Sequence, residues 1–402
     1  MKRKSVFVCF IILVISLTCI TYFASTDYAG RVLFIRQFSK ELVQQTFNLT
    51  AFNGDVTAAE TSKNPHRVDM GECLPIYGKV GIFVAYWGSK RKYETAIDSL
   101  HCYVKSTNYT LFEIDVTKDN ETLTHCSEYR HPMFRRQCAV ALYAQKVDWM
   151  LVLDGDTAVV NPNHCIEEYI DPSVDMLFYE RFFNFEFNAG NYLVRFSNFT
   201  QKFLMEWAEY DKEMSNITDS GRKWFSNIDN GALHIHLART LRANAKPELD
   251  YCNEIRLGVA EMNQYFGYIT CIRWILGAQR EFPGKIRLFR KAQSFVRDAW
   301  STTFGFCELD FMFHDYKETN VPESVFKGRF DISRCGSGLN GWNWKEGKRI
   351  SCDELKEKLI QKEQRYRESW YPDQSKINHP LKYREIARCW PNCDEKLRNR
   401  TE

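Results

Sequence analysis

Two aspartates, Asp154 and Asp156, stand either side of Gly155 at the end of the apolar run Trp149-Met150-Leu151-Val152-Leu153. A buried strand followed at once by Asp-Gly-Asp sets two carboxylates side by side at a sheet's carboxyl edge, where open α/β sheets bind their ligands. Paired acids there suit a hard divalent cation carrying a nucleotide diphosphate. The chemistry would be charge neutralisation: a cation bridging carboxylates and phosphates stabilises a leaving diphosphate as a glycosidic bond breaks. The rival is an ordinary turn in which each Asp caps backbone N–H groups. A helix-loop-helix calcium site is excluded, because it needs an acid where Ala158 stands and a glycine where Val159 stands.

Other residues could complete such a site. In Phe311-Met312-Phe313-His314-Asp315-Tyr316-Lys317 an aromatic strand ends in His314, which could add a nitrogen ligand, and Lys317 could pair with a diphosphate. The alternative for His314 is a hydrogen-bonded histidine at a strand end. Asn188-Ala189-Gly190-Asn191 offers small residues for close backbone approach and amides that both donate and accept, or simply a turn. Asp229, in Asn227-Ile228-Asp229-Asn230-Gly231, could orient an acceptor or cap the helix that follows. Arg135 and Arg136 precede the acidic strand by one helix; either could reach a phosphate, though helix arginines are usually solvated. Trp149, Trp207, Trp342 and Trp344 could stack on sugar faces or pack, and His234 and His236 read as packing or surface residues.

These residues need elements to hold them. Val80–Tyr86, Tyr109–Val116, Trp149–Leu153, Met176–Glu180 and Asn191–Arg195 read as strands. Tyr93–Val104, Phe134–Lys146 and Phe199–Met214 read as helices. Strands alternating with helices predict an α/β fold with a mostly parallel sheet flanked by helices. From about Pro322 the character changes to a Gly-, Asn- and Trp-rich stretch over Asp331–Trp344, a charged helix over Asp353–Arg367, and the closing Cys389-Trp390-Pro391-Asn392-Cys393. This reads as a cysteine-containing C-terminal appendix over 321–402 that packs on the main domain.

The N-terminus reads as a signal anchor. After the basic Met1–Lys4, Ser5–Phe23 is apolar for about 19 residues, close to what crosses a bilayer. The expected order is a cytosolic tail over 1–4, a transmembrane helix over 5–23, a stem over 24–78 with a helix near Leu33–Phe47, and the folded domain over 79–320. The basic end stays cytosolic, so the rest faces the lumen; cleavage after Ala24 and secretion is the alternative. Asn-x-Ser/Thr acceptors at Asn48, Asn108, Asn120, Asn198, Asn216 and Asn399 agree with a secretory route. So do the cysteines: of fourteen, Cys9 and Cys19 lie in the apolar span, leaving an even set for disulfides whose pairing sequence leaves open. The net charge of +3 is supplied by Lys2, Arg3 and Lys4, so the remainder is neutral, which argues against a nucleic-acid binder.

Taken together, the strand and Gly loop at Val80–Gly88, the Asp154-Gly155-Asp156 strand end, Asn188-Ala189-Gly190, Asp229-Asn230-Gly231 and His314-x-x-Lys317 resemble glycosyltransferases of the nucleotide-diphospho-sugar (GT-A) fold. The chain is similar to the fungal galactosyltransferase and plant xylosyltransferase family, more distantly to glycogenin-type enzymes, and to a nematode family of uncharacterised proteins. The resemblance covers roughly residues 79–320. It implies a Rossmann-like sheet and a divalent metal, usually manganese, held by Asp154, Asp156 and His314. It implies donor contacts from Tyr86, Gly190 and Lys317, and sugar or acceptor contacts from Asn188 and Asp229. The expected activity is hexose or pentose transfer, with retention of configuration, from a nucleotide-diphosphate sugar to a glycan or glycoprotein hydroxyl in the Golgi. A catalytically inactive glycan- or nucleotide-sugar-binding protein of the same fold is the alternative. A structural disulfide scaffold fits poorly, since such scaffolds are short and loop-rich. Two departures stand out: the glycogenin-type His-x-x-Gly-x-x-Lys is not reproduced, and Asp229-Asn230 replaces Asp-Gln.

Overall fold

The strand Val80–Tyr86 is apolar along its whole length and buried on both faces, as a central strand must be. It is β1 of a seven-stranded sheet in a computed structural model that describes residues 64–68, 72–182, 185–218, 228–336, 338–369 and 385–398. The other strands of this sheet are β2 (Thr110–Asp115), β3 (Trp149–Asp154), β5 (Met176–Tyr179), β6 (Tyr192–Arg195), β7 (Glu281–Phe282) and β8 (Ile286–Phe289). Between β3 and β5 the short β4 (Ala158–Val159) leaves for a second sheet with β9 (Val296–Asp298) and β10 (Met312–His314). The helices that matter here are α1 (Glu94–Val104), α2 (Pro132–Ala144), α3 (Asn198–Ala208), α4 (Asp229–Leu241), α5 (Lys246–Gly258), α6 (Met262–Leu276) and α7 (Cys352–Ser369).

The large sheet runs β2-β1-β3-β6-β5-β8-β7. The expectation of a mostly parallel sheet is corrected. β2–β1, β1–β3 and β5–β8 are parallel, whereas β3–β6, β6–β5 and β8–β7 are antiparallel. The reason is the connections. α1 and α2 give the first three strands the helical crossovers that parallel pairing usually uses, but no helix is described between Tyr179 and Tyr192, and β6 returns antiparallel. One large core lies on the face covered by α2, α3, α4 and α6, with Met150, Val152, Phe178, Tyr192, Trp207 and Ile269 in it. A second, on the other face, gathers Ile82, Leu151, Leu153, Leu177 and Leu193 with Phe295 and Phe311. Alternation along β3 assigns its residues to these two faces in turn.

The helix expected over Phe199–Met214 is two helices: α3 ends at Ala208 and another begins at Asp211. The break lets Asp211 turn its carboxylate onto the Arg130 and His131 N–H groups at 2.9 and 2.8 Å, ahead of α2. All twelve cysteines from Cys73 onward are paired: Cys73–Cys165, Cys102–Cys335, Cys126–Cys138, Cys252–Cys271, Cys307–Cys352 and Cys389–Cys393. Cys73, within the expected stem, is thereby fastened beside the domain, and Asn64 donates to the Asn163 carbonyl at 2.7 Å. The C-terminal region is tied to the rest of the domain through Cys102–Cys335 on α1, through Cys307–Cys352 and through the buried Lys291–Glu363 pair at 2.6 Å. The apolar span 5–23 and the helix near 33–47 lie outside the described residues. Among the described residues no helix is long and apolar enough to cross a membrane.

Candidate metal centre

β3 ends at Asp154, and its register against β1 sets that residue beside Ala85 at the carboxyl edge. The chain then turns through Gly155, with the Thr157 N–H bonded to the Asp154 carbonyl at 3.0 Å, and enters β4. A Cβ at residue 155 would lie 3.0 Å from that of Tyr86, so the neighbouring strand leaves little room there. β10 pairs antiparallel with β4, Phe313 opposite Ala158, which carries His314 toward Asp156. Asp315 follows in the left-handed region (φ 68°), a conformation Asp tolerates better than most residues. That turn brings the Tyr316 N–H to the Asp156 carbonyl at 2.7 Å.

The result joins residues from two sheets. His314 Nε2 is 3.5 Å from an oxygen of Asp154 and 3.5 Å from one of Asp156. Candidate ligand atoms on the three residues all lie within 4.8 Å of one another. On the far side of the ring, Nδ1 is 2.9 Å from Asp298 Oδ1. Burial works against a charged imidazole, but Asp156, Asp154 and Asp298 outweigh it and raise His314 to about 10. Burial likewise disfavours the Asp154 carboxylate, yet Arg136 and His314 hold it well below the usual range. Two carboxylates and an imidazole whose other nitrogen is held by an acid form a donor set that fits a divalent cation.

Arg136 departs from the solvated helix arginine that is the usual case. Its side chain is fully buried, not solvated. It pairs with Asp154, donates to Asp229 Oδ2 at 2.7 Å and donates to the Ala189 carbonyl at 3.1 Å. A basic residue on the buried face of a helix just ahead of paired acids was the available signal. Asp229 begins α4 without acting as its N-cap; its Oδ1 accepts the adjacent Asn230 N–H at 2.8 Å. Burial raises its pKa, Arg136 opposes the rise and Asp154 adds to it.

Gly190 packs directly on the Asp154 carboxylate: a Cβ there would fall 1.6 Å from Oδ2. Asn188 is buried and closes this turn, its Oδ1 accepting the Gly190 and Asn191 N–H groups at 2.8 and 2.7 Å. Asn191 Oδ1 accepts the Asp154 N–H at 3.2 Å and the Thr157 hydroxyl at 2.7 Å. Lys317, half-exposed, reaches Asp156 Oδ2 at 3.1 Å and Asp315 Oδ1 at 2.6 Å. Tyr86 lies one strand away and turns its hydroxyl to Glu113 at 3.2 Å; burial and Glu113 push it up to about 12. The structure thus gathers Asp154, Asp156, His314, Lys317, Gly190 and Asp229, places Asn188 beneath them as a turn residue, and sets Tyr86 alongside.

The four tryptophans proposed for sugar stacking pack instead. Trp149 and Trp207 are core residues, and Trp342 and Trp344 stack on each other at 5.5 Å. His234 and His236 are buried, as packing would have them.

No curated protein matches this chain. Among solved structures, one described as a glycosyltransferase involved in the glycosylation of the major capsid of PBCV-1 is 18% identical over 34% of this chain and 68% of its own, with a TM-score of 0.24. A second, A197 from STIV, is 12% identical over 31% of this chain and 66% of its own, with a TM-score of 0.18. Overlaps this weak carry no argument about chemistry. Residues 100–328, more than half of the chain and spanning Arg136, Asp154, Asp156, Asp298 and His314, match the family described as "Protein of unknown function, DUF273", and the chain belongs to that family.

Proposed function

We propose that this chain is a metal-dependent glycosyltransferase that moves a hexose or pentose from a nucleotide-diphosphate sugar to a glycan or glycoprotein hydroxyl. The observation that carries the reading is the convergence of Asp154, Asp156 and His314 at the carboxyl edge of the large sheet, with their ligand atoms within 4.8 Å of one another. These three residues would hold the cation, manganese being the best match, and bound there it would supply positive charge to a diphosphate leaving group. Lys317, at the exposed rim beside Asp156, is placed to add a second positive charge to that diphosphate. Arg136 keeps Asp154 ionised and ties it to Asp229, so donor-side and acceptor-side acids stand in one hydrogen-bonded group. Asp229 is the residue proposed to orient the acceptor or stabilise positive charge at the anomeric carbon. Asn188 acts through the Gly190 turn, and Tyr86 borders the donor.

The six disulfides favour an oxidising compartment. We place the protein in the Golgi membrane as a single-pass type II enzyme anchored by residues 5–23, facing its acceptors from the lumen. Thermal unfolding of the full chain against a set of nucleotide diphosphates, with and without manganese, tests the reading. A ligand bound only by the folded state raises the midpoint. The expected result is a manganese-dependent rise with one nucleotide, lost in Asp156→Asn, and turnover of the matching sugar nucleotide. Binding without turnover on any acceptor would instead support an inactive sugar-nucleotide-binding protein, and no rise with any nucleotide would sink both.

A further inference from the structure

Asp298 was singled out by nothing in the sequence, yet it is 1% exposed and sits behind the candidate metal ligand. β9 and β10 run parallel with Asp298 directly paired to His314. That register brings Asp298 Oδ1 to 2.9 Å from His314 Nδ1. Arg181, from the loop after β5, donates to the same carboxylate: Nη2 to Oδ1 at 3.0 Å and Nε to Oδ2 at 3.4 Å. Arg181 also reaches Glu186 Oε2 at 3.5 Å, on the loop that leads into Asn188–Gly190.

We propose that Asp298 and Arg181 are positioning residues for the cation: the Arg181 fork fixes the Asp298 carboxylate, and Asp298 fixes the His314 ring so that Nε2 faces Asp154 and Asp156. This rests on the cation reading above. An imidazole can turn about its Cβ–Cγ bond, and only one orientation presents Nε2 to the two acids. A hydrogen bond from Nδ1–H to a carboxylate selects that orientation, fixes the tautomer and makes Nε2 the more basic donor. A carboxylate buried this deeply is expensive unless paired, and Arg181 supplies the pairing with two donors in fixed geometry. Through Arg181 the ring that binds the cation is joined to the loop whose glycine packs on Asp154. A purely structural ion pair would need only Arg181 and Asp298; it would not need Oδ1, already taken by Arg181 Nη2, to meet as well the ring nitrogen remote from Asp154 and Asp156.

The test is manganese affinity of the full chain, read from the free-ion electron paramagnetic resonance signal, beside the cation-free unfolding midpoint. Asp298→Asn keeps an acceptor for Nδ1–H but loses the charge; it should weaken manganese binding about 10-fold, and Asp298→Ala about 100-fold. Arg181→Lys keeps a charge without the fork and should fall between wild type and Asp298→Ala. The Asn variant leaves Arg181 its Glu186 partner, so without the cation it should still unfold in one cooperative transition, which separates positioning from loss of the fold. Should Asp298→Ala or, if that variant does not fold, Asp298→Asn bind manganese as tightly as wild type, the positioning role is overturned. Wild-type protein that takes up no manganese, matching His314→Gln, overturns the cation reading and this inference with it.

Discussion

At position 190 a methyl group has no place to go. Its carbon would sit 1.6 Å from Asp154 Oδ2, so Gly190→Ala must displace either the turn or the acid. We expect it to abolish manganese binding and to lower stability by about 1–3 kcal/mol, measured by metal titration and urea unfolding of the same preparation. The sequence marked Gly190 as a point of close approach, but the approach is to a side chain of the site itself. Arg136 was less legible. Arginines on helices are mostly solvated, and only the tertiary fold shows this one buried between Asp154 and Asp229. Arg136→Met removes the buried counterion of two half-buried acids. Breaking such a group from one side costs on the order of 3–5 kcal/mol, so a urea midpoint near wild type would show that the acids find other partners.

At the scale of elements, α4 carries a pH dependence. His234 Nε2 accepts the Phe187 N–H at 3.0 Å, and its Nδ1 lies 2.7 Å from the Asn230 carbonyl, so the ring is held neutral. Burial pulls it from 6.5 to about 3, Asn230 opposing, with smaller contributions from Arg273 and Glu180. His236 lies 2.9 Å from the Phe203 carbonyl, and burial pulls it to about 4, with Arg239 adding to the shift. The unfolded chain protonates both near 6.5 while the folded chain resists, so the unfolded state holds more protons below 6.5. Stability therefore falls on acidification from pH 6.5 toward 4, by at most about 1.4 kcal/mol per pH unit for each histidine. His314 acts elsewhere: raised to about 10, its contribution is complete below 6.5 and is lost as pH rises through 10. Urea midpoints at pH 6.5 and 5 should differ, and His236→Gln, which can still donate to Phe203, should halve the difference. The β4–β10–β9 sheet shows why elements were harder to read than residues. Its strands are two and three residues long, and only β10 is legible, from its aromatic run; the pairing of all three delivers His314 and Asp298 to the acids.

At the scale of the described fold, the C-terminal region is bound to the preceding elements by covalent and ionic ties. Cys102–Cys335 closes 233 residues and Cys307–Cys352 closes 45. Arg290 adds bonds to Glu385 and Asp394, both at 2.6 Å. Replacing Cys102 and Cys335 together by serine should lower stability by about 2–5 kcal/mol. Cys126–Cys138 and Cys389–Cys393 close only 12 and 4 residues, and their loss should matter less. Calorimetry of the variants decides the ranking; equal losses from long and short loops would show that local packing, not chain closure, dominates.

Local patterns alone settled a good deal about this protein. Continuous apolar runs bounded by turn residues located β1, β3, β5 and β6. Cysteine parity anticipated disulfides, and Asp154-Gly155-Asp156 at a strand end marked the edge where the candidate ligands meet. Such signals are legible because strand burial, helix period and turn chemistry act over a few residues. Tertiary structure decided the rest: the antiparallel return of β6, the disulfide partners, the burial of Arg136, and the meeting of Asp298, His314 and Arg181 with the paired acids. Each depends on contacts between residues far apart in the chain. Asp298 and Arg181 are separated by 117 positions, a distance over which no spacing rule holds and only the packed fold brings side chains together.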